Sequence, residues 1–264
     1  MRSIWKNEWK RAFLNPGMAL ALFIGVCLVL WFQYTNVWNQ DIVNQDYHGV
    51  ESLYYHWLGA DIFSMQNFVF FMIVPLLATL PAGTSLCEDI NNKYYLHFYT
   101  RNKKKEYLLA KYGANFVAAG VAVVTPLVLS ILLTAMKFPA LKPETIWDME
   151  PSMKGIGYTL YFTHPMLYVL LFLLIDFLFA GGLASIALLF GFYSEHRIFV
   201  SILPFALYYL VYAICRIVPS KDWDSPNWFI NAGYSFCRWY EILISLLVFA
   251  IVGVWYAKKG KKYE

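Results

Sequence analysis

The stretch Cys87–Gly113 reads CEDINNKYYLHFYTRNKKKEYLLAKYG and holds six of the chain's 21 Lys and Arg residues, three acids and five tyrosines. Long apolar runs flank it, Ile62–Leu86 before and Gly113–Met136 after. A charged block between two such runs marks a place where a chain leaves a membrane and re-enters it. Further apolar runs cover Met18–Tyr34, His164–Phe192, Ile198–Val218 and Tyr240–Ala257. About 20 apolar residues in a helix cross a hydrocarbon core of about 30 Å, and a helix satisfies its own backbone hydrogen bonds in lipid. The sequence therefore predicts an all-α integral membrane protein with six transmembrane helices, a single domain over residues 1–264. Pro75, Pro81, Pro126 and Pro204 lie inside the runs, where neighbouring helices can repair the freed carbonyls.

Composition agrees. Hydrophobic residues make up 59% of the 264 and charged residues only 14%, against about a quarter charged in a soluble domain. The 10 Trp and 20 Tyr suit the headgroup level, where amphipathic rings settle. The net charge of +4 says little, but its distribution says more. Fifteen of the 21 basic residues fall on one side of the predicted spans: Arg2 to Arg11, the 87–113 block, Arg197, and Lys258 to Lys262. Six fall on the other: Lys137, Lys142, Lys154, Arg216, Lys221 and Arg238. The positive-inside rule then puts both termini in the cytoplasm, which six spans allow and five do not. The apolar run after the basic start is too long for a signal-peptide core and no small-residue cleavage site follows, so the first helix is expected to be retained. Cys27, Cys87, Cys215 and Cys237 match no metal spacing. Cys215 and Cys237 end neighbouring spans on one side, within reach of a disulfide, though scattered Cys in an apolar chain ordinarily serve as small apolar residues.

Before the first span, Trp5, Trp9 and Phe13 follow at i+4 and share one helical face, with Lys6 and Lys10 beside them. This predicts an interfacial helix over residues 1–16, rings in the headgroup layer and cations toward water and anionic lipid. Asn15-Pro16-Gly17 breaks it. In the 87–112 block, Leu96, Tyr99, Leu108 and Tyr112 alternate with charges, as in a short helical hairpin at the membrane surface. Asn102 can cap a helix that continues into the third span, yet Lys103, Lys104 and Lys105 would then oppose the helix dipole. Such lysines serve lipid headgroups, topology or an acidic partner, and a plain topological anchor is the simplest alternative.

The layout resembles the permease subunit of ABC-2 type ABC transporters. That family has an amphipathic N-terminal helix ending in an Asn-Pro-like break, six spans, and a cytosolic segment between spans two and three. The segment opens on an acidic pair, here Glu88-Asp89, and closes on a basic-Glu-aliphatic run, here Arg101 and then Lys105-Glu106-Tyr107-Leu108-Leu109-Ala110-Lys111. The glycine that the family often carries near Asn92 is missing. The resemblance covers nearly the whole chain in topology and is modest in motif content. It implies a coupling hairpin, with Glu88, Asp89, Asn92, Leu96, Tyr99, Arg101, Lys105 and Glu106 facing a separate ATP-binding subunit. It also implies a second permease copy, identical or related, in a bacterial plasma membrane, with no nucleic acid involved.

No G-x-x-x-x-G-K-[ST], H-E-x-x-H or G-x-S-x-G occurs. The chain is not expected to be an enzyme or to carry a cofactor, and ATP and magnesium belong on the partner. The family's short chains suggest export of a hydrophobic or amphipathic substrate, a peptide first, then a drug or lipid. The other class of function is a self-contained channel or ion-coupled transporter built around Asp176, a mid-span carboxylate; a protonated Asp holding helices together is as good an explanation. Gly181 and Ser185, four apart, permit close helix approach, more naturally within the chain than between copies. The outer segment around Asp41, Asp46, His48, Glu51, His56 and Asp61 shows no convergence of metal ligands and suits an aromatic, acidic lid better.

Overall fold

The fold is that of a computed structural model, which describes residues 2–41, 43–44, 49–96, 104–143, 155–218, 225–233 and 238–262. The long apolar runs become helices: α1 (Arg2–Phe13), α2 (Pro16–Phe32, continuing as a π turn over Gln33–Val37), α3 (Met65–Thr79), α4 (Ser85–Asn91), α5 (Lys104–Ala135), α6 (Tyr158–Thr163), α7 (Pro165–Phe190), α8 (Arg197–Ile217), α9 (Pro226–Phe229) and α10 (Trp239–Lys262). A two-residue antiparallel ladder, β1 (Val43–Asn44) with β2 (Gly49–Val50), is the only sheet among the described residues.

Among the described residues, five helices are long and apolar enough to cross a membrane: α2 with its π turn, α5, α7, α8 and α10. The second predicted span differs. Instead of one helix over 62–86 there is α3 with 15 residues, about 22 Å long at 1.5 Å per residue, then a turn, then α4. Pro81 and Gly83 sit in that turn. The Pro81 carbonyl accepts from Asn15 Nδ2 at 2.6 Å, so a side chain from the start of the chain takes the bond that would have continued the helix. The same Asn15 caps α2 by accepting from the Met18 N–H at 2.7 Å, and Pro16 occupies the first position of α2.

The long helices α5 and α7 form the centre and pack along each other, with Phe177 of α7 against Gly120 of α5 and Phe116 of α5 against Gly181 of α7, while Ala114 and Ala118 of α5 pack with Ala12 and Ala82. A Cβ on Gly181 would stand 2.7 Å from the Phe116 ring of α5, and Ser185 Oγ donates to the Gly181 carbonyl at 2.8 Å. The Gly181–Ser185 pair thus lies against α5 of the same chain. Helices α2 and α3 cover one side of this centre, α10 packs on α7, and α8 on α3 and α7. Outward faces of α8 and α10, with Phe199, Leu210, Leu247 and Ile251, are exposed and apolar.

At the end away from α1, residues 51–64 fold into the bundle. Trp57 and Leu58 are buried, so these side chains are core and not a free lid. Polar groups here are paired across elements: Leu58 N–H to Ser130 Oγ at 2.9 Å, Asn67 Nδ2 to the Leu58 carbonyl at 2.5 Å, Asn231 Nδ2 to Asn67 Oδ1 at 2.6 Å. His56 pairs with Glu51 at 2.7 Å and stacks on Phe138. No cluster of His, Cys, Asp and Glu among the described residues could hold a metal. Cys237 lies outside the described residues, so the Cys215–Cys237 pairing does too.

Candidate coupling surface

Helix α4 is seven residues long and cannot hold itself together by backbone hydrogen bonds alone. Its stability comes from what it touches. Leu86 and Cys87 turn into the core, and Asp89 lies one turn of helix from Ser85, on the side facing α1 and α5. The helix ends in a Schellman motif: Lys93 N–H donates to the Ile90 carbonyl at 3.0 Å and Tyr94 N–H to the Asp89 carbonyl at 2.9 Å. The motif needs a left-handed residue, and Lys93 supplies it at φ 56°. This is next to the position where the resemblance led one to look for glycine. A side chain there is strained, while Gly has a larger chain entropy to lose. Lys93→Gly is accordingly expected to raise stability by about 0.5–1 kcal/mol, read as a higher denaturation midpoint. The motif also sets the Tyr94 ring under the Arg11 guanidinium, 4.9 Å from ring centre to carbon.

Asp89 is the centre of a buried ion cluster. Arg11 of α1 reaches it with both terminal nitrogens, at 2.6 and 3.1 Å. Lys111 of α5 pairs with it at 2.6 Å and with Glu8 of α1 at 3.2 Å. Tyr107 of α5 donates its hydroxyl to the same carboxylate at 2.5 Å. Arg11 also pairs with Glu8 at 3.2 Å. Two acids and two bases balance, and the Lys111 side chain is 1% exposed. Burial pushes the Asp89 carboxyl up, but the Arg11 hydrogen bond, the charge and hydrogen bond of Lys111, and the Tyr107 hydroxyl outweigh it, leaving the carboxyl below the usual range. A buried pair of this kind adds little over an apolar contact when intact, but removing one partner costs about 3–5 kcal/mol.

On its other side α4 holds the turn between α7 and α8. Asn91 Nδ2 donates to the Glu195 carbonyl at 2.7 Å, Cys87 Sγ to the Ser194 carbonyl at 3.2 Å, and Glu88 pairs with Arg197 at 3.6 Å. Burial raises the Cys87 thiol, so it is a packing group and not a nucleophile. One short helix is thus fastened to α1, to α5 and to the start of α8.

The residues singled out in the sequence fall in three places. Asn92, Leu96 and Lys105 are exposed and Glu88 is half-buried at the surface. Asp89, expected to face a partner with Glu88, is 2% exposed and points into the cluster, because α4 is helical and consecutive residues face different ways. Glu106 is partly buried in the first turn of α5. Tyr99 and Arg101 lie outside the described residues. In α1, Trp9 and Phe13 stack at 5.5 Å and Trp5 packs toward Gly113. The stripe that α1 buries, however, is Ile4, Glu8 and Ala12, one residue behind the aromatic one.

Glu8, Arg11, Tyr107 and Lys111 were not singled out as a site. Their signal was there: Glu8 sits between Ile4 and Ala12 on an apolar stripe, and Tyr107 and Lys111 share the face that continues into Ala114 and Ala118. A charge on an apolar stripe asks for a partner. Asn115, one turn past Lys111, is buried with neither side-chain atom hydrogen-bonded among the described residues.

Asp176, in the middle of α7, is 3% exposed. No ion pair or hydrogen bond reaches it among the described residues, and it does not line the 160 Å³ cavity between α7 and α10, whose walls are apolar apart from Ser245. An isolated buried carboxyl is a cost to the fold. Asp176→Asn is expected to leave the denaturation midpoint unchanged or to raise stability by roughly 1 kcal/mol. A clear loss would mean that Asp176 holds helices together. No protein-family model, no curated protein and no solved structure matches this chain.

Proposed function

We propose that this chain is the membrane-spanning subunit of an ATP-driven exporter of the ABC-2 type, moved by a separate ATP-binding subunit that docks on the α4 region. The observation that carries the proposal is the position of α4, tied by polar contacts to α1, α5 and the α7–α8 turn beside exposed Asn92 and Leu96. A displacement of such an element is passed directly to α1, α5 and the start of α8. Side chains at its rim give a soluble partner something to grip. With the short helix α3 making the sixth crossing, the basic bias of the chain favours a cytoplasmic place for this end and both termini, in a bacterial plasma membrane. The chain holds no P-loop, so ATP and magnesium sit on the partner. Two copies of the chain, or this chain and a related one, form the path. The cargo is hydrophobic or amphipathic, a peptide before a drug or lipid.

The test uses the rim and leaves the cluster alone. Glu88→Lys combined with Leu96→Asp removes a surface ion pair, worth at most about 1 kcal/mol, the Thr84 hydroxyl bond to the same carboxylate at 3.1 Å, and exposed apolar surface. ATP hydrolysis by the reconstituted complex is expected to lose its stimulation by substrate at least tenfold, with the thermal midpoint unchanged. Full stimulation in this variant would remove the α4 rim from the coupling path.

A further inference from the structure

A groove of about 520 Å³ runs between the first turns of α5 and the last turns of α10. Its walls are apolar, with Leu109 and Tyr112 on one side and Gly253 and Val254 on the other. Lys105 and Lys261 stand at its mouth, both exposed. The two helices are pinned close by. Tyr256 donates its hydroxyl to the Leu108 carbonyl at 3.2 Å. Lys104 donates to the Lys261 carbonyl at 3.2 Å. A Cβ on Gly253 would stand 2.8 Å from the Tyr112 hydroxyl and one on Gly260 2.6 Å from Leu108. The helices therefore touch at fixed points, and the groove opens beside them where Leu109 and Val254 are each more than half exposed.

We infer that this groove binds an anionic phospholipid, an acyl chain lying along Leu109 and Val254 and the phosphate held between Lys105 and Lys261. The charge pattern selects the occupant. The mouth carries lysines at the N-terminal turn of α5, where the helix dipole is already positive, and Lys258, Lys259 and Lys261 belong to the last turns of α10. Glu106, the acid in the same turn of α5, does not line the groove. Lys259 lies over the Tyr193 ring and Lys104 donates to the Lys261 carbonyl, so Lys105 and Lys261 are the two cations lining the groove, and an anion between them would satisfy both. The apolar walls beside the lysines open to the outside at Leu109 and Val254, and a free phosphate would leave them uncovered. Basic pockets between helices at the cytoplasmic membrane surface are suited to phosphorylated headgroups. The site shares Lys105 with the segment that the resemblance turns toward the ATP-binding subunit but lies off the α4 rim, and its test needs neither ATP nor a partner, so its failure leaves the proposed function standing and the converse holds too.

The test is lipid selectivity of the purified full-length chain in phosphatidylcholine vesicles, read with spin-labelled phosphatidylglycerol against spin-labelled phosphatidylcholine. The wild-type chain is expected to prefer phosphatidylglycerol. Lys105→Gln with Lys261→Gln should reduce the preference by at least about fivefold and toward about 30-fold, at about 1 kcal/mol, or about fivefold, per lysine. Lys6→Gln with Lys10→Gln, which removes the same charge from α1, should leave it nearly intact. Val254→Trp, which fills the groove, should lower binding of the labelled lipid while both lysines remain. Equal loss from the two lysine pairs would overturn the site in favour of a diffuse surface charge. Displacement of the label by inorganic phosphate at millimolar concentration would also overturn it, since a phosphate site without the acyl chain is then sufficient.

Discussion

Asp89→Ala is expected to be the most damaging single substitution at the α1–α4–α5 junction, lowering stability by about 3–5 kcal/mol. The loss comes from what is left behind. Lys111 is 1% exposed and loses its shortest ion pair, keeping Glu8 at 3.2 Å and the Ser85 carbonyl at 3.4 Å; Arg11 loses both of its bonds to Asp89 and Tyr107 loses its acceptor. Asp89→Asn should fall between, because an amide keeps an acceptor for Tyr107 or Arg11 but no charge. Chemical denaturation in detergent micelles reads the loss, and amide exchange should show α1 releasing first. The pH dependence has a fixed sign. The folded-state pKa of Asp89 is lowered, so its contribution is fully present above the unfolded value of about 3.9. It is lost as pH falls through the lower, folded value. The Asn variant should lack that acid limb. A wild-type acid midpoint in Asp89→Asn would mean that the carboxylate is not the anion on which Arg11 and Lys111 close.

Gly233→Ala should be nearly as costly at the other end of the bundle. Its Cβ would stand 1.6 Å from the Ala60 carbonyl oxygen. Backbone is not the flexible end of a side chain, so one strand of chain must move away. The Ala232 and Gly233 N–H groups both donate to the Gly59 carbonyl, at 3.0 and 3.3 Å, and Tyr168 donates to the Ala232 carbonyl at 2.6 Å. Overpacking plus the loss of two buried backbone bonds amounts to roughly 2–4 kcal/mol. The loss should appear as a lower midpoint and as faster exchange at residues 57–60. A normal midpoint would show that the two segments do not meet there.

What the sequence makes legible is set by range. Helices α2, α5, α7, α8 and α10 follow from apolar length, a local property. Helix α5 follows as a continuous rod through Lys104–Tyr112 because nothing in those residues breaks it. The second span ends in a helix shorter than its apolar run because that end is decided from afar. Pro81 inside an apolar run reads as a tolerated kink, and only Asn15, 66 positions earlier, turns it into a stop. The ion cluster is hidden for the same reason. Arg11 and Asp89 are 78 positions apart, and charge counting treats both as surface groups. Counting by helical face does better. Glu8 lies on the stripe of Ile4 and Ala12, and Lys111 on the stripe of Ala114 and Ala118; each is an ion that the fold must neutralise. The outer segment 51–64 gives a third case. Its aromatics read as a lid, but Leu58 is anchored by Asn67 of the following helix and by Ser130, 72 positions away in α5.

The central claim is that another protein's ATP cycle works on α4, and association tests it most directly. The tagged full-length chain, solubilised in mild detergent from its native membrane, is expected to carry a P-loop ATPase in stoichiometric amount. Glu88→Lys with Leu96→Asp should release that ATPase, whereas Lys6→Gln with Lys10→Gln should not. A chain that elutes without any P-loop protein, or one that keeps its ATPase equally well when the α4 rim is reversed, would contradict it.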